Sequence, residues 1–382
     1  MTLTLGINAC RARSGGAVAH LIGLLREATP AEYDIGQVHV WSYRKLLAQL
    51  PEAPWLLKHG AAELESSLAH QLWWERFKLP KQLNETGCSV LLNVDAGSVC
   101  RFRPSITMSR DMLSYEPGEM ERYGFSVARL RLVALRYVQN ASLRTADGVI
   151  FLTRYAAEVV QRACGPLENV AHIPHGVGAE FCDNPTDRSW PEDGTRPIEC
   201  LYISNALPYK HQWHVVEAIA QLRKQGHGIR LVLVGGGEGE AQERLEAQIA
   251  QSDPHNEFVS QHEFVPQLTL PGFLASADLF VFASSCENMP NTLVEAMAAG
   301  MPIACSDRGP MPEVLEDAGV YFDPENPESI AAAVADMIAN PEKRSRLADR
   351  AKERSRRYSW GRCARETLAF VAQTAKRAGK TN

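Results

Sequence analysis

The segment CENMPNTLVEAMAAGMPIACSDRGPMPE, from Cys286 to Glu313, decides the fold. Residues Asn291–Ala299 form a helix-favouring stretch. Gly300 and Pro302 end this stretch, because glycine suits the left-handed position past a helix end and proline cannot extend a helix. The apolar run Asp278–Ala283 precedes the segment and has the length and composition of a buried strand. Strand, loop, helix and next strand in this order are typical of a parallel sheet covered by helices.

The same alternation continues along the whole chain. It predicts an α/β fold of two Rossmann-like, doubly wound parallel-sheet domains in tandem. Helical patterns such as Val215–Lys224 and Glu240–Gln251 separate most of the strands. The expected strands are Leu3–Ala9, Ile35–Trp41, Ser89–Val94, Ser105–Ser109, Gly148–Leu152, Val170–Ile173, Cys200–Ser204, Ile229–Val234, Glu257–Phe264, Asp278–Ala283, Pro302–Cys305 and Val320–Phe322.

A linker is expected at Pro174–Pro197, which is rich in Pro, Gly and Asp and has no periodicity. We therefore predict an N-terminal domain over residues 1–174 and a second domain over 175–357. Ligands of such folds bind at the carboxyl ends of the strands, so a cleft between the two domains is the expected ligand site.

Composition excludes several classes of protein. The 382 residues carry a net charge of -5, which gives no general attraction to nucleic acid or to anionic lipid. Nine dispersed cysteines are expected to be reduced, mostly buried thiols rather than a disulfide scaffold or zinc ligands. The N-terminus does not resemble a signal peptide, and no run approaches the roughly 18 apolar residues of a membrane span. The expected location is the cytoplasm.

Two glutamates bracket the start of the helix at Asn291. The free N–H groups of a first helical turn bind anions, and Glu295, one turn inside, can accept hydrogen bonds from hydroxyls attached to that anion. A nucleotide-sugar fits this arrangement, with its phosphate at the start of the helix, its ribose at Glu295 and its sugar at Glu287. The simpler alternative is that Glu287 is an exposed loop acid and Glu295 a surface residue.

The pair Glu287 and Glu295, followed by EAMAAGMPIACSD, resembles the signature of the retaining glycosyltransferases of family 4, which have the GT-B fold. ASADLFVFASS, LYISNALPYKHQWHVVEAIAQL and VAHIPHGV are similar to further family segments. YSWGRCARETL resembles the closing segment, which implies that a helix in residues 358–382 crosses back to the N-terminal domain. The resemblance covers the second half of the chain and is weaker before residue 145.

The resemblance also implies roles for individual residues. Lys210 would stabilise the leaving diphosphate, and Glu287, Lys210 and Asp111 are the candidate catalytic residues. The family often has Arg where Asn205 stands and His where Arg110 stands, so a histidine role does not carry over. The expected donor-binding residues are Gly15, Gly16, Asn205, Lys210, Gly235, Asn288, Met289, Pro290, Asn291, Thr292 and Glu295.

The expected activity is a retaining hexosyl transfer from a GDP- or UDP-linked sugar to a glycan or lipid-linked acceptor, in the assembly of a surface polysaccharide such as O-antigen or capsule. The donor is a co-substrate, and no cofactor or metal is expected, since no Asp-x-Asp occurs. A GT-B phosphorylase, an epimerase and a non-catalytic binding partner remain alternatives. A dehydrogenase is disfavoured because the glycine fingerprint fails at Gly235.

The stretch Phe125–Arg144 is an apolar helical sequence with regularly spaced arginines. Two interpretations stay open. The helix contacts a membrane surface or a lipid-diphosphate acceptor, which would place the protein peripherally on the inner face of the membrane. Alternatively, it is a core helix with a solvated edge.

Overall fold

The computed structural model describes residues 2–13, 15–182, 190–191 and 194–381. The chain forms two compact units, one of Met1–Gly176 with Ser359–Asn382 and one of Val177–Tyr358. The predicted linker falls partly on residues 183–189 and 192–193, which lie outside the described residues. The predicted domain boundaries at 174 and 357 lie close to these divisions, and the last helix is part of the first unit.

The first unit contains a seven-stranded parallel sheet in the order β3-β2-β1-β4-β5-β6-β7. Its central strands are short and buried along their whole length, as expected for a sheet covered on both faces. The strands are β1 (Leu3–Asn8), β2 (Ile35–Trp41), β3 (Leu56–His59), β4 (Val90–Asn93), β5 (Ser105–Ser109), β6 (Gly148–Phe151) and β7 (Val170–His172).

The second unit contains a six-stranded parallel sheet in the order β10-β9-β8-β11-β12-β13. Here too the two central strands are almost entirely buried. The strands are β8 (Ile198–Ile203), β9 (Ile229–Val234), β10 (Val259–His262), β11 (Leu279–Phe282), β12 (Ile303–Ser306) and β13 (Val320–Phe322).

Helices separate most of the strands, and some shorter turns are 3-10 or π-helical. The α-helices are α1 (Gly16–Arg26), α2 (Arg44–Leu47), α3 (Leu68–Trp73), α4 (Leu79–Glu85), α5 (Val127–Thr145), α6 (Arg154–Cys164), α7 (Ala179–Cys182), α8 (Gln212–Lys224), α9 (Glu240–Ser252), α10 (Leu270–Ser276), α11 (Asn291–Ala298), α12 (Met311–Leu315), α13 (Pro327–Ala339), α14 (Pro341–Ser355) and α15 (Trp360–Thr381).

The prediction of two doubly wound parallel sheets is confirmed. Each of the twelve predicted strands is present, with small shifts at the ends. The largest shift shortens Glu257–Phe264 to Val259–His262, and Phe264 is 89% exposed beyond the end of the strand. Strand β3 was missed.

Each sheet has one point where the strand order reverses, and this point is where doubly wound folds bind ligands. In the first unit it lies between β1 and β4, and in the second between β8 and β11. Functional side chains are therefore expected in the loops that follow these four strands.

The last helix, α15, packs against α1 within the first unit. Gly23 makes this contact close, because a Cβ atom there would lie 2.3 Å from the Trp360 ring. None of the nine cysteines, all of which lie within the described residues, forms a disulfide, and all are buried except Cys100 and Cys182. Within the described residues, no helix combines the length and the hydropathy needed to cross a bilayer.

Candidate functional site

The loop after β8 holds Lys210 in a fixed position. The Tyr202 hydroxyl donates to the Lys210 carbonyl at 2.7 Å, and the Lys210 amide donates to the Leu207 carbonyl at 2.9 Å. The next residue, His211, has φ 49 and precedes helix α8. This backbone is anchored to the buried strand, so the Lys210 side chain starts from a well-defined place.

The loop after β11 is tied to the loop after β8. The Ser285 amide donates to the Tyr209 carbonyl at 2.8 Å, and His211 Nε2 lies 2.9 Å from Ser285 Oγ. Strands β8 and β11 are neighbours in the sheet, so these bonds join the two loops that flank the reversal of strand order.

An ion pair joins the same two loops. Lys210 Nζ donates to Glu287 Oε1, and the side chains are 13% and 16% exposed. Lys210 Nζ also lies 5.1 Å from the centre of the Tyr209 ring. The alternative that Glu287 is an exposed loop acid is therefore wrong. The sequence predicted both residues for the site but not their pairing.

Helix α11 begins directly after this loop, with Asn288, Met289 and Pro290 buried before it. Asn291 and Thr292, the first two residues of the helix, are half-buried. The N-cap residue of α11 is Pro290, whose side chain makes no cap hydrogen bond to the first turn. The N–H groups and the positive end of the helix dipole at this point form an anion-binding arrangement.

Glu295 lies one turn inside α11 and is only 9% exposed. Its Oε2 atom is buried, without a hydrogen-bond partner among the described residues. Burial, with a smaller contribution from the Glu180 carboxylate on α7, raises the pKa of Glu295 from 4.5 to about 7. The alternative of a surface residue is therefore wrong, and this buried carboxyl oxygen still has the capacity to accept a hydrogen bond.

Gly235 brings the loop after β9 against the loop after β8. Its φ is 117, and a Cβ atom there would lie 2.3 Å from the Ser204 carbonyl oxygen and 3.0 Å from the Asn205 nitrogen. Asn205 is exposed at this contact. The neighbouring Gly237 has a similar role, since its Cβ would lie 2.6 Å from the Ala206 carbonyl oxygen. The run of glycines in the sequence was the signal for this close approach.

Three predicted site residues belong to the first unit. Gly15 precedes α1 with φ 55, a conformation that favours glycine, and Gly16 is the first residue of the helix. Asp111 follows β5, and its carboxylate accepts from the Leu113 amide at 3.0 Å and Ser114 Oγ at 2.5 Å. Gln139 Nε2 lies 3.2 Å from the same carboxylate. Asp111 thus holds its own turn, and its catalytic role stays a prediction.

A group of charges at the ends of β1, β4 and β5 was not predicted. Burial lowers the pKa of Arg110 to about 10, although the nearby Asp95 carboxylate opposes this shift. Arg110 Nη1 and Arg11 Nε are buried without a hydrogen-bond partner among the described residues. Burial also raises the pKa of Asp95. The sequence shows Arg110 at a position where the family often has His, but only the fold brings it near Asp95 and Arg11, which follow other strands of the sheet.

A family model described as "Glycosyl transferases group 1" matches residues 184–354. The matched region includes Lys210, Gly235, Glu287 and Glu295, and lies within the second unit.

Two curated relatives are similar over part of the chain. A GDP-mannose-dependent alpha-(1-6)-phosphatidylinositol monomannoside mannosyltransferase of Mycolicibacterium smegmatis is 29% identical over 235 residues, which are 57% of this chain and 59% of the relative. O-antigen chain mannosyltransferase B of Escherichia coli is 27% identical over 168 residues, 44% of each protein. The chain thus matches about half the length of these relatives.

Among solved structures, HepE of Anabaena, determined in complex with UDP and glucose, superposes with a TM-score of 0.70 at 20% identity. The match covers 96% of this chain and 98% of that protein. The architecture is therefore that of the GT-B glycosyltransferases. The family model and the relatives together support a glycosyltransferase.

Proposed function

We propose that the protein is a metal-independent, retaining hexosyltransferase of family 4. It would move a hexosyl unit from a GDP- or UDP-linked sugar to a glycan or lipid-linked saccharide in surface-polysaccharide assembly. The observation that carries the proposal is the Lys210–Glu287 ion pair in the loop before α11, with Glu295 buried one turn inside that helix.

Each group has a role that follows from its chemistry. The diphosphate of the donor binds at the N–H groups around Asn291 and Thr292 and beside the Lys210 ammonium, which stabilises the negative charge that develops on the leaving group. Glu295 accepts hydrogen bonds from the ribose hydroxyls. Glu287 keeps Lys210 in place and accepts from hydroxyls of the transferred sugar.

Transfer then proceeds on one face of the sugar. The bond between the anomeric carbon and the phosphate oxygen breaks, and a bond from the acceptor oxygen to the same face of that carbon forms. The acceptor proton passes to the leaving phosphate oxygen. This route needs no protein nucleophile. It agrees with a site in which Lys210 and Glu287 form an ion pair and Glu295 has the proposed role of a hydrogen-bond acceptor.

The known activities of two relatives support the proposed classes of donor and acceptor. One is a mannosyltransferase that depends on GDP-mannose and acts on a phosphatidylinositol mannoside, and another is an O-antigen chain mannosyltransferase. A mannosyl transfer from GDP-mannose is therefore the first reaction to test. The complex of HepE with UDP and glucose makes UDP-glucose the second donor to test.

The test is a thermal-shift series with GDP-mannose, UDP-glucose, UDP-N-acetylglucosamine and the free nucleotides, followed by an assay of donor consumption. A bound donor raises the melting temperature by mass action. We expect one nucleotide-sugar to stabilise the protein and to be consumed, with the anomeric configuration retained in the product by NMR.

Three results would contradict the proposal. The absence of any stabilisation by the donors would remove the nucleotide site. Stabilisation without even slow donor hydrolysis would indicate a binding protein that lacks catalysis. An inverted product would exclude the retaining route.

A further inference from the structure

Helix α5 in the first unit presents an apolar stripe to solvent. Val127, Leu130 and Tyr137 are 73%, 70% and 70% exposed, and Ala134 and Ala141 are also exposed. These five positions are separated by alternating steps of three and four residues, so they form one continuous line along the helix. Among the residues of α5 only Gln139 and Leu143 are buried, so the apolar stripe lies on the solvated side of the helix and not in the core.

The stripe continues into the loop before the helix. The Phe125 side chain is fully exposed, and the Arg129 guanidinium lies 5.8 Å from the centre of its ring. Exposed apolar residues scattered singly are ordinary, whereas a contiguous line of them marks a surface that contacts something apolar. The occupant of this face must therefore have an apolar component.

The charges on α5 decide which occupant fits. The helix carries four arginines, at positions 129, 131, 136 and 144, and no acidic residue, although the whole chain has a net charge of -5. On a helical projection Arg131 and Arg144 flank the apolar stripe on its two sides. A second copy of the chain packed on this face would bring like charges together, which is unfavourable.

We propose that this face docks on a membrane surface that contains anionic phospholipid. The apolar stripe enters the boundary between headgroups and acyl chains, and the flanking arginines contact the lipid phosphates. This proposal is independent of which nucleotide-sugar the protein uses as donor. If the acceptor is lipid-linked, it also brings the enzyme to its substrate.

A second exposed patch in the same unit has the same character. Leu68, Trp73 and Phe77 are 52%, 48% and 54% exposed, and the cations of Lys78 and Arg76 lie over the two aromatic rings. One patch lies in the segment after β3 and the other in the segment after β5. Both strands belong to the same parallel sheet, so both segments leave it at the carboxyl ends of the strands. Tryptophan beside cationic residues is typical of proteins that contact the lipid–water interface.

The test is vesicle flotation with the purified full chain, using phosphatidylcholine vesicles with and without phosphatidylglycerol. We expect flotation only with the anionic vesicles, and weaker flotation at high salt. The double variant Leu130→Glu and Tyr137→Glu should bind at least about tenfold more weakly, because two apolar side chains that enter the interface become charged. Arg131→Glu should also weaken binding.

The matched control replaces two exposed apolar residues of the second unit, Phe264→Glu with Leu268→Glu, which are 89% and 87% exposed in the wild type. This control should bind vesicles like the wild type. Helical content by circular dichroism and the donor-induced thermal shift should be unchanged in all variants, which separates a failure of docking from a failure of the proposed activity.

The proposal is overturned if the wild type floats with neither vesicle, or if the α5 variant and the control bind equally. It is also overturned if sedimentation shows a dimer that the α5 variant disperses, since the face would then belong to a second copy of the chain.

Discussion

Lys210 and Glu287 are 77 residues apart in the chain, yet their side chains form an ion pair across the ends of two neighbouring strands. The pair exists because β11 is inserted beside β8, where the strand order reverses. A cation suited to phosphates and an acid suited to sugar hydroxyls are thus held together before any ligand binds. Preorganisation of this kind is what stabilisation of a charged leaving group requires.

Replacing either partner should affect turnover more than stability. We expect Lys210→Met and Glu287→Gln each to lower kcat by about 100-fold or more, because leaving-group stabilisation or the position of the cation is lost. Each should cost about 1–3 kcal/mol of stability, since a half-buried charge loses its partner. Steady-state kinetics and urea unfolding measure the two effects.

The double variant separates catalysis from structure. Removing both charges should recover part of the lost stability, because no charge is left unpaired, while turnover stays low. If the double variant also recovered turnover, the pair would be merely structural.

Glu295 should make stability depend on pH. Its pKa is about 7 in the folded protein against 4.5 ordinarily, so between these values the folded protein keeps a proton that the unfolded chain has lost. Stability therefore falls as pH rises through this range, by about 3 kcal/mol in total. Glu295→Gln should be more stable than the wild type by up to this amount above about pH 8, and equal to it below about pH 4.

At about pH 8, where most of the Glu295 carboxyl is ionised, the same variant should bind the donor more weakly, by about tenfold or more, because a charged acceptor of ribose hydrogen bonds is lost. Glu243→Gln, an exposed glutamate on α9, is the control and should change neither property. Urea unfolding across pH and donor titration by calorimetry provide the measurements. A Glu295→Gln protein with wild-type donor affinity would place the ribose elsewhere.

Gly235 should not tolerate a side chain. Gly235→Ala places a Cβ atom 2.3 Å from the Ser204 carbonyl and requires alanine at φ 117, which should cost about 2–3 kcal/mol and displace the loop at Asn205. The Michaelis constant for the donor should rise as well. Gly228→Ala is the control, since nothing lies within 4 Å of its added Cβ. Equal melting temperatures for the two variants would contradict the close approach of the loops.

Asp111 should be important for local structure. Asp111→Ala removes the acceptor for Leu113, Ser114 and Gln139 and should cost about 1–3 kcal/mol. Glu121→Ala, at an exposed acid nearby, should be neutral. If Asp111→Asn folded with wild-type stability and lost turnover, the carboxylate would have a catalytic rather than a structural role.

The alternation of strands and helices was readable from the sequence because buried parallel strands are short apolar runs. Strand β3 was missed for a physical reason. It pairs only with β2 at the sheet edge, its last three residues are half-buried, and the run LLKH has no strand periodicity. Edge strands of this kind carry little signal in the sequence.

The site was predictable in its residues but not in its contacts. The sequence left open whether Glu295 contacts a ribose or is a surface residue. In the structure α7 and α14 pack on α11, and residues 293–298 are all buried. The Lys210–Glu287 pair depends on strand order, which no local pattern encodes. Asp95 follows β4 and Arg110 follows β5, so the two charges come near each other because these strands are neighbours in the sheet.

The most direct measurement is a crystal structure of the protein with an intact nucleotide-sugar donor. The account predicts that the diphosphate lies at the first-turn N–H groups of α11 within reach of Lys210, and that the ribose hydroxyls contact Glu295. A nucleotide bound away from this helix, with the Glu295 carboxyl still lacking a partner, would contradict it.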